Sequence, residues 1–165
     1  MKPPPIALDQ LAALPAVYRV TIPPAYRDRM DHMNIRWYLA LYDEAGDAMY
    51  TLWGEDLDYY ARTGSGGFDL EHHLHYVNEV RIGDDVVIRA RLLARTAKRL
   101  HYLMFMVNET RGNLASIFEC VHAHVDLKAR RTAPYPPELA ERLDALVAEH
   151  NRLNWPAPIC GAMSA

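Results

Sequence analysis

Between residues 33 and 53 the polar positions Arg36, Asp43, Glu44, Asp47 and Thr51 recur at helical spacing. On a helical wheel they fall within a sector of roughly 100°. Ile35, Trp37, Leu39, Leu41, Tyr42, Ala45, Met49, Leu52 and Trp53 take nearly all the rest. A surface helix shows the reverse proportion, an apolar stripe on a polar cylinder. The pattern therefore predicts a helix covered on most of its sides, too short and too charged to cross a membrane. A strongly curved sheet would cover it.

The remaining chain supplies strands. Residues 17–22 make a first short strand ended by Pro23-Pro24, and residues 67–80 a second. In a third, Val86, Ile88, Ala90, Leu92 and Ala94 alternate with Val87, Arg89, Arg91, Leu93 and Arg95, the period of a half-buried strand. Residues 98–108 and 114–128 make a fourth and a fifth, joined by a glycine-containing turn at 109–113. After a proline start, residues 138–150 carry Leu139, Leu143, Leu146 and Val147 on one helical face. The order predicts an α+β fold: one long central helix, a five-stranded antiparallel sheet wrapping it, and a C-terminal surface helix. Strands two to five are expected in antiparallel succession. A cone-shaped α+β roll is the rival, but its usual opening run of helices is missing.

The chain of 165 residues suits one domain, with an N-terminal extension over 1–16, a domain over 17–150 and a flexible tail over 151–165. Proline clusters at 3–5, at 134–137 and at Pro156 and Pro158 mark these edges. A net charge of −3 gives no broad basic surface for nucleic acid or an anionic membrane. Cys120 and Cys160 lie far apart in no metal-type spacing, so a reducing compartment is expected. The N-terminus has one lysine and no continuous apolar run, and no segment reaches the roughly 20 apolar residues of a membrane span. A cytoplasmic protein is the expectation.

The loop from Pro24 to Asn34 places Asp28, Asp31, His32 and Asn34 within seven residues at a helix start. Two readings stand side by side. Asp31 or Asn34 caps the helix and satisfies its orphan N–H groups. Alternatively, those N–H groups receive a developing oxyanion while Asp28, about one turn ahead, acts as nucleophile or base.

The spacing Asp28-x-x-x-His32-x-Asn34, followed by Trp37-Tyr38-Leu39 and Tyr42, resembles the Asp-x-x-Gly-His-x-Asn loop of hotdog-fold acyl-CoA thioesterases, the 4-hydroxybenzoyl-CoA thioesterase-like group among them. The similarity continues through Tyr76-x-x-Glu79-Val80-Arg81-Ile82-Gly83-Asp84, Lys98-Arg99-Leu100-His101 and Ala133-Pro134-Tyr135-Pro136-Pro137, over roughly residues 17–143. The resemblance implies hydrolysis of an acyl-CoA to an acid and free CoA, with no cofactor, by a homodimer or dimer of dimers. It implies Asp28 as nucleophile or general base, His32 and Asn34 as orienting groups, and N–H groups near Met33 and Ile35 polarising the carbonyl. Glu71 would join the site across a dimer interface, with His73 on the same strand face. One position departs: Asp31 replaces the family's glycine, and an aspartate accepts positive φ less readily.

Arg95, Lys98 and Arg99, with Lys128, Arg130 and Arg131, are the candidates for CoA phosphates, since arginine supplies multidentate donors. Tyr26, Trp37, Tyr38, Tyr42, Trp53, Tyr59 and Tyr60 offer either plain core or an aromatic pocket for a quaternary ammonium. His122 and His124 share a strand face, but no third and fourth ligand accompanies them, so no metal is expected and a dimer interface or polar outer face is the simpler reading. Two rival functions remain. An acyl-CoA-binding protein without turnover would fit a loop altered at Asp31. A hydratase or dehydratase would need an Asp-x-Asn-Pro-x-His segment, which is absent.

Overall fold

The computed structural model describes residues 6–165; the proline run at 3–5 lies outside them. The elements in order are α1 (Leu8–Ala12), β1 (Ala16–Thr21), a 3-10 turn (Pro24–Tyr26), α2 (Ile35–Tyr50) and α3 (Tyr59–Thr63). Then come β2 (Ser65–Tyr76), β3 (Asp85–Arg95), β4 (Arg99–Asn108), β5 (Asn113–Asp126), the two-residue β6 (Arg131–Thr132) and α4 (Pro137–His150). No helix among the described residues is long and apolar enough to cross a membrane.

The strand order is β1-β3-β4-β5-β2, with β6 paired to β5. The tight connections dictate much of it. Thr96 N–H donates to Arg99 O at 2.9 Å, closing the β3–β4 turn. Gly112, at φ 61, takes the left-handed position of the β4–β5 turn. The expected succession of strands two to five is corrected at one point: β2 pairs with β5, and β1 takes its place beside β3. Val77 and Asn78 N–H both donate to Ala115 O, while Leu127 N–H donates to Gly64 O, which fixes the β2–β5 pair as antiparallel. Strand two ends at Tyr76, and the segment that follows turns at Gly83 (φ 84) and Asp84, whose carboxylate accepts from Arg81 N–H and Asn108 Nδ2.

Two compact units share these strands. The first comprises residues 6–49, Leu74–Ala90 and Met104–Phe118. Within it α2 buries Tyr38, Leu41, Tyr42, Ala45, Gly46 and Met49. Full burial of each large side chain contributes about 1.5–3 kcal/mol. The Tyr42 hydroxyl hydrogen-bonds Ser116 Oγ at 2.8 Å and accepts from Met106 N–H, and its ring stacks on Phe118. The cover expected on most sides of the helix leaves Ile35 and Leu39, one turn apart, 64% and 41% exposed.

The second unit comprises Tyr50–His73, Arg91–Leu103 and Glu119–Ala165. Trp53 is fully buried and donates to Glu55 Oε2 at 2.8 Å. Leu139 and Leu143 bury one face of α4. Residues 151–165, expected as a flexible tail, contain no regular element but are anchored. Trp155 is buried under the Arg91 guanidinium at 4.2 Å, Met163 is buried, and Cys160 N–H donates to the buried Glu119 at 2.6 Å. His122 and His124 are also buried, not on a polar outer face. His122 Nδ1–H donates to Asp69 at 2.8 Å, and His124 Nδ1–H donates to Ala133 O while Nε2 faces the Tyr59 hydroxyl. Among the described residues no group of three or more His, Cys, Asp or Glu is placed to hold a metal ion.

Candidate active site

The loop from β1 to α2 is closed by its own backbone. Asp28 N–H donates to His32 O at 2.8 Å, Asn34 N–H to Tyr26 O at 2.8 Å, and Arg27 pairs with Met33 in an isolated bridge. Closing so tight a loop requires a left-handed residue, and Asp31 supplies it at φ 67. Aspartate is among the few non-glycine residues that accept this region. The Asp31 carboxylate is exposed and pairs with Arg27 at 2.8 Å.

The Asp28 carboxylate is held from within the loop. Oδ1 accepts from Met30 N–H at 2.7 Å and His32 N–H at 3.0 Å, and both bonds fall on that one oxygen. The His32 N–H bond is the main reason its pKa lies below the ordinary carboxylate value; partial loss of water opposes this, and the Met30 N–H and the His32 ring add to it. Asp28 is therefore an anion at neutral pH with Oδ2 turned to neither loop donor. His32 Nε2 donates to Glu79 at 2.7 Å, and the other oxygen of Glu79 accepts from Arg81 at 2.6 Å.

These groups line a cavity of about 390 Å³ with Ile35, Tyr38 and Tyr76. Tyr38 and Tyr76 meet edge to face at a centroid distance of 5.0 Å. Burial pushes the Tyr38 hydroxyl up to about 12, so it stays protonated.

The site residues expected from sequence divide. Asp28, His32, Met33 and Ile35 come together at this cavity. The Met33 N–H is nevertheless spent, donating to Val80 O at 2.8 Å, and cannot polarise a substrate. Ile35 N–H, at the start of α2, has no backbone acceptor among the described residues. Asn34 is the cap of α2: its Oδ1 accepts from Arg36 N–H at 3.2 Å and its carbonyl from Trp37 N–H, so the capping reading holds for Asn34. Glu71 and His73 sit on β2 at exposed positions and do not line the cavity. Arg95 is engaged by Asp144 of α4, Lys98 and Arg99 are exposed at the β3–β4 turn, and Arg130 and Arg131 line a cavity of the second unit.

The aromatic pocket does not assemble as a single group. Tyr26 stacks on Trp37 at 3.8 Å, Tyr42 is core, and of the named aromatics only Tyr38 lines the cavity. Tyr76 and Glu79 also line the cavity, beyond the site residues expected from sequence. Tyr76 is the last residue of β2 and Glu79 follows in the segment leading to Gly83, so the Tyr76-x-x-Glu79 pattern carried the signal without fixing that both face the loop.

A family model described as the thioesterase-like superfamily matches residues 22–143. A betainyl-CoA thioesterase of Pseudomonas aeruginosa is 31% identical over 139 residues, 84% of this chain and 87% of that protein. An L-carnitine dehydrogenase/betainyl-CoA thioesterase of Agrobacterium fabrum is 35% identical over 122 residues, 74% of this chain; the match spans only 25% of that longer relative. A protein of Staphylococcus aureus solved in complex with CoA superposes with a TM-score of 0.81 at 20% identity, covering 92% of this chain and 96% of its own. A 1,4-dihydroxy-2-naphthoyl-CoA thioesterase from Synechocystis superposes at 0.68 and 15% identity, covering 78% and 95%. At these identities the two structures establish the fold, which is the hotdog.

Proposed function

This thioester hydrolase belongs to the thioesterase-like superfamily, and we propose that it cleaves an acyl-CoA with Asp28 as its nucleophile. The observation that carries the reading is the Asp28 carboxylate itself, fixed by two N–H donors on Oδ1 beside an open cavity. Oδ2 attacks the thioester carbonyl, the C–S bond breaks, and CoA leaves as the thiol after taking up a proton. Water then hydrolyses the acyl-aspartyl anhydride to the free acid and restores the carboxylate. General-base activation of water is the second route. Ile35 N–H and the positive end of α2 stabilise the developing oxyanion. His32, tethered to Glu79, orients the loop carbonyl and the substrate beside it.

For the acyl group we propose the betainyl moiety that the names of the two relatives carry. The Tyr38–Tyr76 pair offers the aromatic wall that a quaternary ammonium requires. The working unit is a homodimer or a dimer of dimers. β2 is a twelve-residue edge strand whose Phe68, Leu70 and Tyr76 are exposed, an unprotected edge suited to a second copy. Glu71 and His73 reach an Asp28 site only from such a partner.

Thiol release from betainyl-CoA, acetyl-CoA and an aromatic acyl-CoA tests the reading. Betainyl-CoA is expected to be preferred, and Asp28→Ala to lose between about 10²- and 10⁴-fold in kcat. Wild-type turnover in that variant, or no hydrolysis of any of the three, would defeat it. A monomeric mass by light scattering would remove Glu71 and His73 from the site.

A further inference from the structure

Attack on a thioester turns its carbonyl oxygen into an oxyanion, and a site that stabilises one aims donors at it in advance. At the start of α2 the backbone has spent nearly all of its donors. Met33 N–H goes to Val80 O, Asn34 N–H to Tyr26 O, Arg36 N–H to Asn34 Oδ1 and Trp37 N–H to Asn34 O. From Met33 to Trp37 only Ile35 N–H is left without an acceptor among the described residues. One N–H is thin provision for a full negative charge.

A side chain of the same helix supplies another donor. Tyr38 stands one turn beyond Ile35 in α2, and long helical side chains lean back toward the helix N-terminus. Its hydroxyl therefore reaches toward the first turn. The contacts agree: the Val80 main-chain N–H hydrogen-bonds the phenolic oxygen, and Val80 O is the acceptor of Met33 N–H just ahead of the helix. Tyr38 is only 5% exposed, yet it lines the Asp28 cavity, with its ring edge to face against Tyr76. With Val80 N–H on its oxygen, the hydroxyl keeps its own proton to offer, and none of the described residues accepts it. All these residues belong to the first unit.

We propose, resting on the hydrolase reading of the same cavity, that the Tyr38 hydroxyl is a catalytic hydrogen-bond donor that holds the thioester oxyanion together with Ile35 N–H. Asp28 Oδ2 bonds to the carbonyl carbon, and the π pair moves to the oxygen, which accepts from Tyr38 O–H and Ile35 N–H. When that pair returns, the C–S bond breaks and the sulfur leaves with its electrons. The proton that makes the free thiol comes from solvent, and Tyr38 keeps its own. Burial above all, opposed by Val80 N–H and aided by Tyr76, Glu79 and Asp28, pushes the phenol up to about 12, so it donates a hydrogen bond without giving up the proton.

Tyr38→Phe keeps the ring and removes the donor. In thiol release from the acyl-CoA that wild type hydrolyses best, kcat should fall by about 10²- to 10³-fold with KM within about twofold of wild type. Two ligands read the donor without turnover, by calorimetry on the intact protein. Trifluoroacetonyl-CoA presents tetrahedral oxygens as its hydrate, and S-propyl-CoA has no oxygen at that place. The variant should bind the first at least about tenfold more weakly and the second as wild type does. A hydroxyl that served only to hold Val80 would lower the urea midpoint and spare both kcat and the difference between the ligands.

Unchanged kcat in the variant, or an equal loss of both ligands, overturns the proposal. So does wild type binding the two ligands alike, whatever the variant does. If wild type hydrolyses no acyl-CoA, the hydrolase reading fails, and the ligand pair alone decides the donor. Undiminished binding of S-propyl-CoA shows that the cavity of the variant is intact.

Discussion

His32 and Glu79 meet at 2.7 Å, and His101 and Glu119 at 2.8 Å, the same chemistry at nearly the same length. Their surroundings differ. The first pair is 33% and 39% exposed and borders the Asp28 cavity; the second is 7% and 2% exposed within the second unit. Glu79 passes its other oxygen to Arg81, whereas Glu119 passes its own to Cys160 N–H and so anchors the C-terminal segment. A third pair, Asp69 with His122, is mixed: the imidazole is 2% and the carboxylate 42% exposed, and a Cβ at Gly67 would stand 2.2 Å from the His122 ring, so only glycine fits beside it. The type of pair thus decides little. Access to a cavity decides whether an imidazole serves substrate or structure.

The comparison breaks most directly in stability. His101→Leu strands the Glu119 carboxylate in the interior, at an expected cost of about 3–5 kcal/mol in urea unfolding. His32→Leu removes a half-exposed pair, worth no more than about 1 kcal/mol after solvent screening. In turnover the ranking inverts: His32→Leu lowers kcat by up to about a hundredfold through misplacement at the reacting centre. Equal destabilisation by the two variants would erase the distinction drawn here.

A smaller effect separates the regions by pH. His150 is buried and its Nδ1 accepts from Leu92 N–H at 2.9 Å, which requires the neutral ring. Burial holds its pKa below the ordinary 6.5; Glu149 opposes this, and Arg91 adds a smaller push in the same direction as burial. With the folded value depressed, its contribution is complete above pH 6.5 and is lost as pH falls below 6.5 toward the folded value. Asp28 is also depressed, but from 3.8, so its carboxylate stays ionised throughout that window. Between pH 7.5 and 5.5 the urea midpoint of wild type should fall, and His150→Gln should flatten part of that slope. A slope identical in both proteins would clear His150 of the role.

Much of this was legible in the chain because period alone reports burial. The polar stripe of α2 and the Leu139–Leu143 face of α4 lie where the period places them, whereas β3 is buried more broadly than its alternation predicts, with Val87 and Arg91 buried and Ala94 exposed. The place of β2 did not appear, for a physical reason: residues 67–73 are exposed throughout, so no alternation ties the strand to a neighbour. α1 and α3, at five residues each, are too short to show a period. In the site, Asp28 and His32 were readable from a local loop, which sequence spacing describes well. The loss of the Met33 N–H to Val80 and the arrival of Glu79 beside His32 depend on residues 47 positions further along the chain, which spacing does not reach.

The smallest effect concerns Asp31, and it tests whether the loop's departure from its family is structural or functional. Asp31→Gly relieves a left-handed backbone, a gain of roughly 1 kcal/mol, and forfeits an exposed pair with Arg27 worth about 0–1 kcal/mol. The two nearly cancel, so stability should stay close to wild type. Asp31→Ala keeps the Cβ and loses the side chain that tolerates this region, and should be the less stable of the two by roughly 1 kcal/mol. Since the Asp31 carboxylate is turned to Arg27 while Asp28 takes its bonds from Met30 and His32, kcat should follow neither substitution. A large rise in kcat for Asp31→Gly would instead mean that the second carboxylate restrains the first. The loop geometry measured at Asp28 would then be only half of what sets its reactivity.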